Sequence, residues 1–268
     1  MINNKYYAID AHCHIYPSKI ALLAIHHTDE FYSEHSTEKG VAEHLIESGK
    51  NAGIDKFLVQ SVATTKKQVR KINEFIKGEV EKSNGKLIGL GTIHPESEDM
   101  KGDILHLLDL GLKGIKIHPD IQETPVDNSG YKKAYEICES LNVPILMHTG
   151  DNRYDNSNPN RLVPILKEFK NLTVIGAHFG GWSIWEEAPK HYANFDNFYV
   201  DCSSSFHYLN DEQIIKIIKE YGANKVLFAT DYPMWSAKTE IERLLSLGLS
   251  EQDYKLIFSE NAKKVFNI

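Results

Sequence analysis

The sequence predicts an α/β fold of the (β/α)8 TIM-barrel type, and three observations predict the barrel. Eight short apolar, β-branched runs recur along the 268 residues. After the first interval, their starts are separated by roughly 25–30 residues, the length of one strand–helix unit. Between them the apolar residues follow a helical period instead. A doubly wound sheet is built from the same parts and is the rival, but eight units in one series point to the closed barrel. No linker or low-complexity segment breaks the rhythm, so residues 1–268 read as a single domain.

The runs are YYAID at 6–10, KFLVQSV at 56–62, KLIGLGTI at 86–93, LKGIKIH at 112–118, VPILMH at 143–148, LTVIGAH at 172–178, FYVDCS at 198–203 and KVLFAT at 225–230. Most are nearly continuous apolar stretches, as strands of a parallel sheet buried on both faces must be. Among the intervening helices, Ile214, Ile217, Ile218 and Tyr221 share one face, as do Ile104, Leu107 and Leu108. Thr65-x-x-Gln68 and Ser250-x-x-Asp253 resemble helix-start capping boxes. Gly53, Gly85, Gly111 and Gly222 stand where helices end before a strand. The first interval is longer, and residues 15–36 read as an insertion over the C-terminal face of the barrel, where barrel enzymes keep their sites. His26, His27 and His35 in that insertion read as solvated loop histidines.

Composition narrows the function. With 30 basic and 37 acidic residues the net charge is −7, which gives no footprint for nucleic acid. A small anionic substrate remains compatible, because a metal or a local cation overrides net charge. There is no run of 18 apolar residues for a membrane span and no apolar signal segment at the N-terminus. Cys13, Cys138 and Cys202 are odd in number and show no paired spacing, which reads as a reducing, cytoplasmic setting. The expected partner is a small-molecule substrate. A homo-oligomer is compatible with a barrel surface, but no sequence signal fixes the state.

The chemistry-bearing residues gather at predicted strand ends. His12, His14, His94, His118, His148 and His178, six of the thirteen histidines, fall at or just beyond such ends, and Asp231 follows the eighth. His12 and His14 are two apart, so in extended backbone both imidazoles face the same way and can share an ion. His148 from the fifth run and Asp231 from the eighth would complete three nitrogens and a carboxylate. That donor set suits one divalent metal ion, zinc first, with manganese or another first-row ion as alternatives. His178, beside Gly180 and Gly181, is placed in the site but off the metal, where it polarises a substrate oxygen or carries a proton.

The segments IDAHCHIYP, GIKIHPD, ILMHTGD, AHFGGW, FATDYP and ENAKKVF, taken in this order from residue 9 to residue 266, resemble the amidohydrolase superfamily. The nearest branch is the amidohydrolase-related one that includes aminocarboxymuconate-semialdehyde decarboxylase. The resemblance implies a (β/α)8 barrel with a divalent metal. It matches His12, His14, His148 and Asp231 to the metal ligands, and His178 to a catalytic histidine. Binuclear relatives carry a carboxylated lysine on the fourth strand, where Lys116 lies. The single-metal branch is the nearer match, so a second ion bridged by Lys116 is the alternative to a barrel-interior lysine paired with a carboxylate.

The leading expectation is therefore hydrolysis of a small amide, ester or lactone by metal-activated water, with Asp231 taking up the proton and His178 stabilising charge on substrate. Non-oxidative decarboxylation of an aromatic or enoic acid is the alternative, and a non-catalytic metal- or ligand-binding barrel the third. His118, Arg153 and Trp182 are the expected substrate contacts, with Arg153 as a bidentate clamp for a carboxylate. Trp235 is a second candidate wall of the pocket, and His94 reads as structural.

Overall fold

The computed structural model describes residues 1–268. Its strands are β1 Ile9–His14, β2 Lys56–Gln60, β3 Leu87–Gly89, β4 Gly91–Thr92, β5 Ile115–Ile117, β6 Ile145–Met147, β7 Val174–Gly176, β8 Phe198–Asp201 and β9 Val226–Leu227. Each paired neighbour is parallel. β3 pairs only with β2 and β4 only with β5, so these two pieces share one barrel position, divided at Leu90. The backbone stays continuous there: Leu90 donates to the Val59 carbonyl at 2.9 Å and Gly91 to that of Gly114 at 2.8 Å. Closure comes from the first and last strands. Ala11 N–H donates to the Phe228 carbonyl at 2.9 Å, and His14 N–H to that of Tyr232 at 2.6 Å.

Two apolar layers follow from the alternation of strand side chains. Ile9, Ala11, Leu58, Leu146, Ile175 and Leu227 pack together inside the barrel. Helix α11, Asn261–Phe266, adds Ala262 and Phe266 to that same cluster and so plugs it. The alternate residues, such as Phe57, Val59, Ile115, Ile117, Ile145 and Met147, join the larger cluster against the surrounding helices. Helix α8, Asp211–Tyr221, shows how a helix seats itself. Asn210 and Gln213 form a capping box, and Ile214, Ile217, Ile218 and Tyr221 are its buried face. Gly53 ends α2, Ala42–Ala52, at φ 92°, a conformation that glycine adopts without steric cost.

The first run is displaced from its strand. Tyr6 packs outside the barrel against Tyr254 and Phe258, and pairing starts only at Ile9. His12 and His14 therefore lie within β1 rather than past its end. Between Asp10 and Cys13 the pairing register shifts, with three steps along β1 against two along β2. This bulge changes which residues face inward. Ile9 and Ala11 belong to the inner cluster, whereas Cys13, which would continue their alternation, joins the outer one. His12 and His14 thereby take the inward positions.

Residues 15–36 contain helix α1, Ala21–Tyr32, of which only Ala21 is buried. Helices α3, Val69–Lys82, and α5, Ser129–Leu141, belong to the outer ring. Where α5 begins, a Cβ on Gly130 would lie 1.9 Å from the Pro95 carbonyl oxygen. A backbone neighbour cannot yield as a side chain does, so Gly130→Ala is expected to destabilise the fold by about 1–3 kcal/mol. Denaturant unfolding followed by circular dichroism checks this, with Gly78→Ala, which meets no atom within 4 Å, as the control.

Candidate metal centre

β1, β5, β6, β8 and the turns after β7 and β9 deliver the polar groups to one chamber. His12, His14, Lys116, His118, His148, His178 and Asp231 all line it, and α1 supplies Thr28 and Tyr32. Inward alternation explains most of these. Lys116 and His118, Leu146 and His148, Tyr199 and Asp201, and Leu227, Ala229 and Asp231 are each two residues apart. His178 breaks that pattern, since Ala177 before it already belongs to the inner cluster. His178 and Phe179 both adopt left-handed backbone, with φ of 61° and 54°, and this turn brings the imidazole into the chamber while Phe179 goes to the outer core. Asp231 is likewise left-handed, at φ 58°.

Three donor atoms converge. His12 Nε2 is 3.1 Å from His14 Nε2 and 3.2 Å from Asp231 Oδ1, and His14 Nε2 is 3.6 Å from that oxygen. Donors held around one first-row ion at about 2.1 Å sit roughly 3.0–3.4 Å from one another, so this spacing fits a single divalent ion. The tautomer fits as well. His12 Nδ1–H donates to Asp201 Oδ2 at 2.9 Å, which leaves Nε2 unprotonated, with its lone pair facing the other donors. The far oxygen of Asp231 accepts from Ser204 Oγ at 2.7 Å, and Ser204 is held in turn by Trp235 Nε1 at 3.0 Å.

The remaining residues take varied positions. His148 is fully buried in the same chamber but lies outside the three-atom cluster. Its Nε2 is 3.6 Å from Asp120 Oδ2 and has no hydrogen-bond partner. Its ring stacks on His118 with centroids 4.0 Å apart. Lys116 Nζ donates to His12 Nε2 at 3.1 Å, so its direct contact is a metal-donor nitrogen and not a carboxylate. His178 Nδ1 faces the Ser203 carbonyl at 3.1 Å, and because a carbonyl only accepts, Nδ1 carries the proton and Nε2 is the acceptor. The same logic orders a relay at His118. Ile121 N–H donates to His118 Nδ1 at 3.2 Å, so Nε2–H donates to Tyr32 Oη at 2.6 Å, and the tyrosine keeps its own hydrogen for another acceptor.

Arg153 does not present an open fork to the chamber. Its Nε and Nη2 bind Asp151 at 3.0 and 2.7 Å, and its Nη1 donates to the Phe31 carbonyl at 2.7 Å. Its guanidinium carbon lies 5.0–5.4 Å from the ring centroids of Phe31, Tyr32, Tyr154 and Trp182. It fastens the end of α1 to the loop after β6. Trp182 lines a side recess with Tyr32, His178, Ser204, Asp231 and Trp235. His94, 5% exposed, does not line the chamber.

Burial governs protonation. It depresses the affinity of His12, His14, His118 and His148 for a proton, aided in each case by neighbouring cations, so the rings are neutral at pH 7, as metal ligands must be. Burial also brings His178 down to about 4 and Lys116 down to about 8, the Asp231 and Asp201 carboxylates opposing the shift in the lysine. Asp231 and Asp120 are both raised to about 7, chiefly by desolvation.

Sequence reasoning missed Asp201, Ser203, Ser204, Tyr32 and Asp120. Asp201 was within reach, because the two-residue step that selects His148 after Leu146 also selects Asp201 after Tyr199. Tyr32 carried no such signal, since it arrives on an insertion whose path depends on tertiary packing.

A family model described as Amidohydrolase matches residues 9–268. Among curated proteins, the γ-resorcylate decarboxylase of Rhizobium sp. (strain MTP-10005) is 23% identical, over 78% of this chain and 80% of that one. Among solved structures, an uncharacterized TIM-barrel protein from Bordetella bronchiseptica superposes with a TM-score of 0.80 at 20% identity, covering 97% of this chain and 98% of that one. A dihydroxybenzoic acid decarboxylase from Polaromonas sp. JS666, with bound manganese and the inhibitor 2-nitroresorcinol, gives a TM-score of 0.74 at 16% identity, over 98% and 97% of the two chains. These findings bear out the TIM-barrel fold and the resemblance to the decarboxylase branch. They overturn hydrolysis as the leading expectation, because the relatives with a stated activity are decarboxylases. The donor set that the motifs suggest suits both chemistries, so no residue stood behind the preference for hydrolysis.

Replacing His12 or His14 by Ala is expected to abolish stoichiometric binding of manganese or zinc, read by elemental analysis of the purified protein. Asp201→Asn, which removes the acceptor fixing the His12 tautomer, is expected to weaken metal affinity about 10–100-fold while sparing the fold. Competition against a chelator of known affinity measures it, and an unchanged constant would show that Asp201 does not orient His12.

Proposed function

Because the chain belongs to the amidohydrolase family, we propose that it is a metal-dependent non-oxidative decarboxylase of a hydroxy-substituted aromatic acid. The observation that carries this reading is the convergence of His12 Nε2, His14 Nε2 and Asp231 Oδ1 in a chamber that also holds a histidine acceptor and a tyrosine donor. Decarboxylase relatives aligned over most of both chains support it.

In this reading His12, His14 and Asp231 hold one divalent ion; His148, whose Nε2 makes no hydrogen bond and faces Asp120 Oδ2 at 3.6 Å, is the fourth donor that the family resemblance implies. Manganese and zinc both suit nitrogen and carboxylate donors. When bound, the ion supplies positive charge for the acid's carboxylate and neighbouring hydroxyl. His178 Nε2 accepts the hydrogen of that hydroxyl, and Tyr32 Oη, already accepting from His118, donates to a carboxylate oxygen. Asp231 delivers a proton to the ring carbon that bears the carboxylate. The carbon–carbon bond then breaks, its electron pair returns to the ring, carbon dioxide leaves, and water restores the proton.

The test is carbon dioxide release from γ-resorcylate and other hydroxybenzoates by manganese- and zinc-loaded protein. Turnover is expected to fall at least about 100-fold in His178→Asn with metal content unchanged. Hydrolysis of amides or lactones without any decarboxylation would defeat the reading. So would loss of metal in His178→Asn, since His178 would then be a ligand.

A further inference from the structure

A second cavity adjoins the metal chamber. Tyr16, Thr28, Val62 and Ile121 line the chamber and also line this larger groove between α1 and α3. The groove has a volume of about 660 Å³, against about 50 Å³ for the chamber. A space of about 300–1,000 Å³ holds a drug-sized ligand, so a single aromatic ring at the metal leaves the groove empty. Its walls are apolar where they leave the chamber: Ile20, Leu23 and Phe31 come from the α1 side, and Ile72 and Phe75 from α3. Ile20 and Leu23 remain 49% and 56% exposed, an arrangement that costs free energy unless something covers them. Lys71 and Gln68 lie among the polar groups of the lining.

We propose that this groove is a substrate subsite, which receives an apolar extension of several carbons carried by the acid whose head sits in the chamber. The shared lining argues for this occupant over any other, since Tyr16, Thr28, Val62 and Ile121 each border both the groove and the chamber that holds His12, His14 and Asp231. The proposal rests on the chamber of the preceding reading and narrows its substrate class: a hydroxybenzoic acid bearing an alkyl or similar apolar substituent, rather than the bare ring. The exposed side chains of α1 would be covered by that substituent, so the insertion contributes specificity as well as Tyr32.

Alkyl hydroxamates test it without requiring turnover, because their heads chelate metals whatever the reaction. Affinities of manganese-loaded protein for the series from acetohydroxamate to octanohydroxamate are measured by calorimetry. The expected result is a rise of about threefold to fourfold per methylene along the groove. That gain per methylene is expected to shrink in Leu23→Asp, which makes the wall polar, and in Ala24→Phe, which narrows the passage. Acetohydroxamate binding with no dependence on chain length overturns the subsite and leaves the metal chamber standing. Failure of every hydroxamate to bind overturns both. A length-independent series together with a dimer that Leu23→Asp dissociates assigns the exposed face to a second copy of the chain and likewise overturns the proposal.

Discussion

Both carboxylate oxygens of Asp10 are taken up by Thr230, Oδ1 by its backbone N–H at 3.0 Å and Oδ2 by its hydroxyl at 2.6 Å. The contact lies wholly inside the protein and spans 220 residues of sequence. It joins the first strand to the last, and the neighbouring backbone bonds from Ala11 and His14 complete the seam. The proposed metal donors lie within four residues of it on either strand. His12 and His14 follow Asp10, and Asp231 follows Thr230, so closing the barrel and assembling the donor triad are one event. Burying a carboxylate is costly, and burial raises Asp10 to about 6, while hydrogen bonds from Thr230 and the His12 amide work to keep it ionised. The clasp is therefore an ordered polar contact in an apolar setting, which favours one alignment of the two strands over its neighbours.

The chamber is governed by a different balance. Five histidines and a lysine crowd together, and burial lowers the proton affinity of all of them, enough to leave the imidazoles neutral. Without that, several cations would repel one another in a poorly hydrated space. Neutral imidazoles turn the same crowding into an array of lone pairs. Hydrogen bonds then decide which nitrogen keeps its hydrogen. Asp201 fixes His12, the Ser203 carbonyl fixes His178, and the Ile121 amide fixes His118. The chemistry is thus set as much by residues that never face the substrate as by those that do.

Much of this was legible in the sequence. The apolar runs sit where strands form, because a strand buried on both faces needs little beyond hydrophobicity and β-branching to declare itself. His12 and His14 could be singled out from their two-residue spacing on the first strand, and Asp231 from its place after the last, in a fold whose strand ends share one mouth. Arg153 misled for the opposite reason. A guanidinium near a ligand strand suggests a clamp, but the Asp151 beside it takes the fork and four rings surround what remains. Tyr32 and the groove beyond it depend on where a surface insertion lies down, and no periodicity encodes that. The choice between hydrolysis and decarboxylation was equally out of reach, because both ask for the same donors.

The single added residue in β1 between Asp10 and Cys13 has a consequence for how the centre tolerates change. A strand is a two-phase track, and its phase decides which side chains look inward. Upstream of the bulge the track is set by packing, with Ile9 and Ala11 in the barrel interior. Downstream it is set by chemistry, with two imidazoles in the inward slots. The bulge is the switch that lets both demands be met by one short strand. Deleting Ala11 would restore two steps along β1 against two along β2 and keep Cys13 and His14 opposite Val59 and Gln60, at the cost of the side chain that Ala11 gives to the inner cluster. What would turn both imidazoles outward is a slip of the whole strand by one residue, and that slip would break the seam with Thr230 and Tyr232 at the same time, so the phase of the donors is guarded by the closure of the barrel.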